Sequence, residues 1–316
     1  MGKSTKRSVF VREKVSENNG NLSKLALAKL LHSQYPGWFK TIENARTAIR
    51  MATGNAGQES RSITVDWKIP EGDSYEYKDF IMPQSASKLL ILSDIHFPHH
   101  DVKALEIALN EGLKQGCNSI MINGDGLDFH KLSKYTKDKS NKEISEELEY
   151  FRIFLQELKK NFDVPIYYKV GNHEYRYHRF LSENPQVLGI KELDFHSIMR
   201  FGEYGITEIK SDQKTVCGEF NIWHGHEYMG SGGMWPAKWL FERSLESGAC
   251  GHFHRVSAFH AKQGNKHLDS YSMGCLSDLR PKYIPHQRAT QKWSHGYGIL
   301  FWDKEKYEFQ NKEIKS

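Results

Sequence analysis

Long apolar runs are absent from this 316-residue sequence. No stretch approaches the roughly 20 consecutive apolar residues of a membrane helix, and no apolar signal core follows the basic first residues. We therefore expect no membrane partner. Cysteine is also scarce, and Cys117, Cys217, Cys250 and Cys275 form no Cys-x-x-Cys pair. This pattern indicates free thiols in a reducing cytoplasm.

Internal repeats and low-complexity tracts are lacking as well. The glycine-rich stretch at residues 230–233 is not followed by a Lys-Ser/Thr pair, which disfavours a phosphate-cradling loop. The residues that are present, 38% hydrophobic and 26% charged, are typical of a soluble globular protein. The length allows one large α/β domain with a small appendage.

The net charge of +5 is unevenly distributed. Residues 1–61 carry +7, whereas the remainder carries −2. A basic head on a nearly neutral body suggests a polyanionic partner such as DNA or RNA. A solvated basic tail explains the charge equally well.

Within the head, residues 1–60 are predicted to form a basic helical domain. We expect residues 1–20 to be frayed, a helix capped by Ser23, and a second helix from Thr41. Lys40, Arg46 and Arg50 would lie together on the face of the second helix away from the core. This arrangement is compatible with a helix-turn-helix that contacts nucleic acid, or with a plain helical hairpin whose arginines face water.

Residues 61–87 form a predicted connector between the head and the body. The segment mixes Gly, Ser, Pro and Glu with Trp67, Tyr75, Tyr77 and Phe80. It is too aromatic for a free linker, so we expect an extended stretch that packs its aromatic residues on a surface.

From residue 88 to residue 316, apolar runs alternate with helical patterns before the sequence becomes rich in strands. The predicted elements are strands at 89–93, 119–123 and 164–170, helices from 101, near 142–160 and near 236–246, and a hairpin at 297–314. Such alternation predicts an α/β fold, a layered sandwich of mixed sheets with outer helices.

Five motifs supply Asp, Asn or His, and most of them stand where an apolar run ends. They are Asp94-Ile95-His96, residues 124–128, Gly171-Asn172-His173-Glu174, His224-Gly225-His226 and Gly251-His252-Phe253-His254. Side chains at the carboxyl ends of neighbouring strands can converge on one point.

Seven side chains in these motifs are candidate metal ligands: Asp94, His96, Asp125, Asn172, His224, His252 and His254. Histidine and oxygen ligands without thiolate suit Mn²⁺, Fe or Zn²⁺. Seven ligands exceed the need of one tetrahedral ion and suffice for two ions if Asp125 bridges them. Two ions about 3.5–4 Å apart can hold a hydroxide between them and clamp a phosphate for in-line displacement.

The five motifs in this order resemble those of the calcineurin-like metallophosphoesterases over about residues 88–256. Residues 93–101 and 274–278 are further similar to a phage- and prophage-encoded branch with a helical N-terminal region. The resemblance implies a four-layer α/β/β/α sandwich over residues 88–316 and two divalent ions, with Mn²⁺ favoured. It also implies two ligand sets: Asp94, His96, Asp125 and His254 for one ion, and Asp125, Asn172, His224 and His252 for the other.

The resemblance further implies that His173 is a catalytic residue that protonates the leaving oxygen, with Asp128 orienting it. Arg176 is predicted to reach a substrate phosphate, and His99 and His130 to line the pocket. His226 is an alternative to His224 as the ligand of its motif.

Together these features predict a metal-dependent phosphoesterase. The basic head favours a phosphodiesterase or nuclease acting on nucleic acid. A phosphomonoesterase or protein phosphatase stays open, as does a non-catalytic nucleic-acid-binding scaffold, although the scaffold would be free to lose ligands that are all present here.

Overall fold

The computed structural model describes residues 5–53, 67–134, 142–281, 284, 288 and 290–315. The chain divides into two compact units, Met1–Ser74 and Tyr75–Ser316. The predicted boundary after residue 60 and the first six residues of the predicted connector lie outside the described residues. Among the helices described, none is long and apolar enough to cross a bilayer.

The first unit contains three described helices: α1 (Lys6–Asn18), α2 (Lys24–Gln34) and α3 (Ile42–Thr53). As predicted, Ser23 caps α2, because its side chain accepts a hydrogen bond from the Ala26 amide. The three helices share one apolar core, which contains Val11 of α1, Leu27 and Leu31 of α2, and Ile49 of α3.

The expectation that residues 1–20 are frayed is wrong for α1. Thr5 caps this helix by accepting from the Ser8 amide. Val11 is only 2% exposed, and the ring of Phe10 packs edge-to-face on Tyr35 at 4.7 Å. The apolar residues of α1 are few and lie among charged ones, but the tertiary contacts they make order the segment.

The face of α3 away from this core is exposed and basic. Lys40, Arg46 and Arg50 are all exposed, while Ala45 and Ile49 are buried. Nη1 of Arg46 lies 3.5 Å from Oε2 of Glu43, an exposed pair that contributes little to stability. Arg46 and Arg50, one turn apart on α3, therefore share a solvent-facing surface, and Lys40 is exposed just before the helix.

The second unit alternates strands and helices. Its strands are β1 (Phe80–Ile81), β2 (Lys88–Leu92), β3 (Ser119–Asn123), β4 (Ile166–Lys169), β5 (Ile206–Ile209), β6 (Thr215–Cys217), β7 (Phe220–Trp223), β8 (Gly248–Cys250), β9 (Ser257–Gln263), β10 (Lys266–Ser272), β11 (His295–Trp302) and β12 (Tyr307–Ile314). Its α-helices are α4 (Val102–Lys114), α5 (Ile144–Asn161), α6 (Tyr175–Glu183), α7 (Phe195–Ile198), α8 (Phe201–Tyr204) and α9 (Pro236–Ser244). Short 3-10 helices lie at Gln84–Ala86, His130–Leu132 and Lys191–Leu193.

The described strands form two mixed sheets of six strands each. One has the order β12-β11-β2-β3-β4-β5 and the other β1-β6-β7-β8-β10-β9. In the first sheet β2 to β5 are parallel, and Ile120 of β3 lies between Leu90 and Ile166. The carboxyl ends of β2, β3 and β4 therefore meet at one edge.

The sheets are stacked and covered by helices on both outer faces. Leu89 and Ile91 of β2 belong to the core between the sheets, whereas Leu90 and Leu92 pack in the core with residues of α4 and α5. On the other side, Leu240 of α9 packs against the second sheet. This alternation confirms the predicted four-layer α/β/β/α sandwich.

The end of the predicted connector is part of this sandwich. Phe80 pairs with Thr215 as the edge strand β1 of the second sheet, and its ring lies 6.0 Å from that of Tyr167. Trp67, by contrast, is 73% exposed. Tyr75 and Tyr77 are also largely exposed, at 66% and 72%, so among the named aromatic residues of the connector Phe80 alone packs on a surface as expected.

Candidate metal centre and active site

The candidate ligands stand on the loops that follow five strands. Asp94 and His96 follow β2, Asp125 follows β3 and Asn172 follows β4. In the second sheet His224 follows β7, and His252 and His254 follow β8. Parallel pairing of β7 with β8 places these two loops side by side.

Backbone conformation at these loops is unusual. Five of the seven candidate ligands have positive φ angles between 50° and 66°: Asp94, His96, Asp125, His252 and His254. Such angles cost free energy for residues with a Cβ and concentrate at functional sites. A Cβ at Gly171 would collide with Asp125, and one at Gly251 would collide with Asp94, so these two glycines let the carboxylates approach the backbone.

Asp94, His96 and His254 form one cluster of potential ligand atoms. Nε2 of His254 lies 3.1 Å from Oδ1 of Asp94 and 3.2 Å from Nε2 of His96. Ligand atoms about 2.1 Å from one ion are themselves separated by roughly 3.0–3.4 Å. Two of the three distances fall in this range, and the third, from Nε2 of His96 to Oδ1 of Asp94, is 4.0 Å, so the cluster is close to the spacing of ligands around one divalent ion.

Asp125, His224 and His252 form a second cluster. Nε2 of His224 lies 3.3 Å from Oδ2 of Asp125 and 3.1 Å from Oδ1 of Asn172. Oδ2 of Asp125 also lies 3.9 Å from Nε2 of His96, a member of the first cluster. The seven predicted ligands thus converge, with Asp125 between the two groups.

Hydrogen bonds orient two of the imidazoles toward the centre. Nδ1 of His96 lies 3.2 Å from Oδ1 of Asp128, and Nδ1 of His224 lies 2.7 Å from the carbonyl oxygen of Asn123. Donation from Nδ1 leaves the Nε2 lone pair for a metal. In this tautomer the Nε2 lone pair of His96 faces Nε2 of His254, an arrangement that a cation between them stabilises.

Three buried carboxylates make the centre anionic. Burial alone would raise the pKa of Asp94, Asp125 and Asp128, but the neighbouring imidazoles lower all three below the ordinary value. Burial likewise opposes the charge of His224, yet Asp125 outweighs it and raises the pKa of that imidazole to about 10. A raised pKa shows that a positive charge is favoured at this position. Carboxylates and imidazoles are a donor set that fits two divalent ions, which would take the place of the imidazole protons.

His173 and Asp128 lie beside the two clusters. Nδ1 of His173 donates to the carbonyl oxygen of Asp128 at 2.9 Å and lies 3.0 Å from its carboxylate, while Nε2 lies 3.8 Å from Oδ2 of Asp125. Arg176 donates from Nη1 to the Asp128 carbonyl oxygen at 2.7 Å, and its Nη2 lies 2.9 Å from Nε2 of His173. The guanidinium is thus already held at the imidazole.

The predicted pocket-lining histidines lie outside the three-residue clusters just described. Nδ1 of His130 lies 3.7 Å from Oδ2 of Asp128, and His99 is half-buried beyond His96, with its pKa lowered by burial. Nε2 of His226 lies 2.7 Å from Oγ of Ser211. His224, rather than His226, thus lies among the clustered candidate ligands.

Glu174, the last residue of the motif at 171–174, is fully buried, and its type and position in the sequence predict no role for it. Its carboxylate accepts from the amides of Asp125 at 3.0 Å, Leu127 at 3.1 Å and Gly171 at 2.8 Å, and from the Tyr168 hydroxyl at 2.7 Å. It thereby ties the loop after β3 to the turn after β4. Asp125 and Leu127 are 49 and 47 positions away in sequence, so no local pattern could identify these partners.

Glu227 and Lys169 form a second support that the sequence did not reveal. Lys169 is fully buried, and its Nζ lies 2.9 Å from Oε1 of Glu227. Burial raises the pKa of Glu227, but Lys169 more than offsets this effect, and the pKa falls to about 2. Glu227 accepts from the His224 amide at 3.0 Å. The available signal was a lysine inside an apolar strand, which requires a buried partner.

The chain is similar to known proteins over much of its second unit. A family model described as calcineurin-like phosphoesterase matches residues 87–256. Gene 54 protein of Mycobacterium phage D29 is 25% identical over 233 residues, covering 68% of this chain and 89% of the phage protein. This relative agrees with the predicted phage-encoded branch.

Two solved structures are also similar in part. The Pseudomonas putida nuclease MPE has 12% identity and a TM-score of 0.32, covering 70% of this chain and 87% of that one. A dimetal phosphatase from Danio rerio has 9% identity and a TM-score of 0.36, covering 72% of this chain and 96% of that one.

Proposed function

The chain belongs to the calcineurin-like phosphoesterase family, and from this premise we propose that it is a two-metal phosphodiesterase acting on nucleic acid. Membership makes it a metal-dependent phosphoesterase, a hydrolase of phosphate esters. The observation that carries the proposal is the pair of Asp–His clusters, one of Asp94, His96 and His254 and the other of Asp125, His224 and His252. Mn²⁺ is the favoured metal, since imidazole and carboxylate ligands without thiolate suit it.

In the proposed division Asp125 serves both ions. Asp94, His96 and His254 complete one site, and Asn172, His224 and His252 complete the other. Two bound divalent ions supply the positive charge that polarises a phosphate and lowers the pKa of an attacking water.

His173 is the proposed proton donor. Asp128 holds its Nδ1, and Nε2 accepts a hydrogen bond from the Arg176 guanidinium. Arg176 is proposed to turn to a phosphate oxygen when substrate binds, which frees Nε2 to carry the proton that goes to the leaving ester oxygen. His99 and His130 are proposed to line the substrate pocket.

The preference for nucleic acid rests on the head of the chain. Residues 1–61 carry +7, and Lys40, Arg46 and Arg50 are exposed. A cluster of exposed cations binds the phosphate backbone by releasing condensed counterions. We assign these three residues to nucleic-acid binding.

The test is a turnover screen with Mn²⁺ on a generic phosphodiester, a phosphomonoester, single- and double-stranded DNA, RNA and a phosphopeptide. We expect turnover of the diester and of at least one nucleic acid, and its loss in Asp125→Asn. Asp163→Asn, an exposed substitution of the same type, is the matched control. A protein that cleaves only the monoester or the phosphopeptide would contradict the proposal.

A further inference from the structure

A pocket of about 780 Å³ adjoins the metal centre in the second unit. Its wall includes Tyr75, Tyr77, Tyr175, His178, Asp212 and His226, and we call it the tyrosine pocket. None of these residues coordinates in the proposed metal sites. The volume falls within the range of pockets that hold small organic ligands, about 300–1,000 Å³.

Three tyrosines present their rings to solvent at this pocket. Tyr75 is 66% exposed, Tyr77 72% and Tyr175 57%. Large aromatic side chains ordinarily bury most of their surface, so three exposed rings at one pocket indicate a contact surface.

Two of these rings are held in place. The Tyr75 hydroxyl donates to Oδ2 of Asp212 at 2.7 Å, and its ring meets that of Tyr77 edge-to-face with centroids 5.0 Å apart. A ring fixed before binding loses little conformational entropy when a flat ligand stacks on it.

The tyrosine pocket shares a wall with the metal centre. The ring of His226 lies 5.2 Å from that of His224 and 6.4 Å from that of His252. Tyr175 directly follows the turn that carries Asn172 and His173. If a phosphate ester binds at the metal centre, a group attached to that phosphate can therefore lie in or beside the tyrosine pocket.

The charge of the wall disfavours a second phosphate as its ligand. Glu208 and Asp212 contribute carboxylates, Glu227 is paired with the buried Lys169, and Lys210 is the only Lys or Arg among the described lining residues. Anions would be repelled, whereas a flat neutral ring with amino groups can stack on the tyrosines and donate to Asp212.

From these observations we propose that the tyrosine pocket binds a nucleobase of the substrate, next to the phosphate at the metal centre. This inference rests on the proposed nucleic-acid substrate. It identifies the base as the part of the nucleotide that the second unit contacts besides the phosphate. Stacking on aromatic side chains tolerates any base sequence, so the pocket would favour nucleic acid over other phosphodiesters without selecting a sequence.

The experiment measures stacking directly, by fluorescence quenching of 2-aminopurine in single-stranded DNA and RNA pentamers whose phosphorothioate linkages keep the negative charge and slow hydrolysis. The Mn²⁺-loaded protein should quench the probe. Tyr77→Ala and Tyr175→Ala should weaken binding by roughly 5- to 150-fold, the value of one stacked base. Tyr77→Phe and Tyr175→Phe, which keep the ring, should bind as the wild type does.

Tyr150→Ala is the matched control, because Tyr150 is a partly exposed tyrosine of α5 that lines a different groove. If the alanine variants lose affinity for both the DNA and the RNA pentamer, the pocket recognises the base alone. If they lose affinity for only one pentamer, the pocket recognises the base within that type of nucleic acid. Unchanged binding in both alanine variants, or no quenching by the wild type, overturns the inference. Hydrolysis of a generic phosphodiester by the wild type, measured in parallel, tests the proposed function separately.

Discussion

Glu174→Gln should destabilise the protein by about 2–4 kcal/mol. The carboxylate accepts four hydrogen bonds, three of them from backbone amides. Glutamine keeps one accepting oxygen and presents an NH₂ group in place of the other. The glutamine side chain loses least when its NH₂ group faces Tyr168 and Leu127. The Tyr168 hydroxyl can then rotate and accept from the NH₂ group, but the Leu127 amide loses its acceptor.

An unsatisfied buried amide costs about 1–3 kcal/mol, and the remaining bonds weaken because they no longer involve a charge. Urea unfolding with excess chelator measures this effect without any contribution from metal binding. Tyr168→Phe is the control, since it removes one of the four bonds and should cost about 1 kcal/mol. A Glu174→Gln variant within 0.5 kcal/mol of the wild type would refute the role of this carboxylate in holding the two loops.

Three further predictions concern the assigned roles. His173→Ala should reduce turnover by about 10²–10⁴-fold with metal content unchanged, and less for esters with good leaving groups; loss of one ion would instead make His173 a ligand. Asp125→Asn should cost the most activity among ligand substitutions, because it removes a charge shared by both clusters, and metal analysis should show weakened binding. Replacing Lys40, Arg46 and Arg50 with Gln should weaken nucleic-acid binding. It should also reduce the slope of log binding constant against log salt concentration by up to about 2–3.

The last substitution requires a control for net charge. Replacing Lys103, Lys114 and Lys191, three exposed lysines of the second unit, with Gln removes the same charge from elsewhere. Equal weakening by both triple variants would show that overall charge, rather than the exposed surface of the first unit, drives binding. Hydrolysis of a small ester should not change in either variant.

The fold could be predicted from sequence because its signals are local. The strand β3 occupies Ser119–Asn123, the predicted range, since a short apolar run ends there in polar residues. The helix α5 begins within two residues of its predicted start. At α3 the burial is less regular, since Ala45 and Ile49 are buried whereas Ile42, in the first turn, is 37% exposed.

The candidate ligands were predictable for a related reason, since Asp and His residues directly follow buried strands whose ends must meet. Their supports were not predictable. Lys169 pairs with Glu227 of the loop after β7, and Glu174 joins amides from two loops. Contacts of this kind depend on the packing of the sheets and leave no periodic pattern in the sequence.

The proposed role of two divalent ions at the Asp–His clusters in phosphodiester hydrolysis can be measured by titrating the metal-stripped protein with Mn²⁺ while following hydrolysis of bis(p-nitrophenyl) phosphate. We expect no turnover without metal and a rise that reaches its plateau at two ions per chain. Turnover that persists after complete metal removal would contradict it.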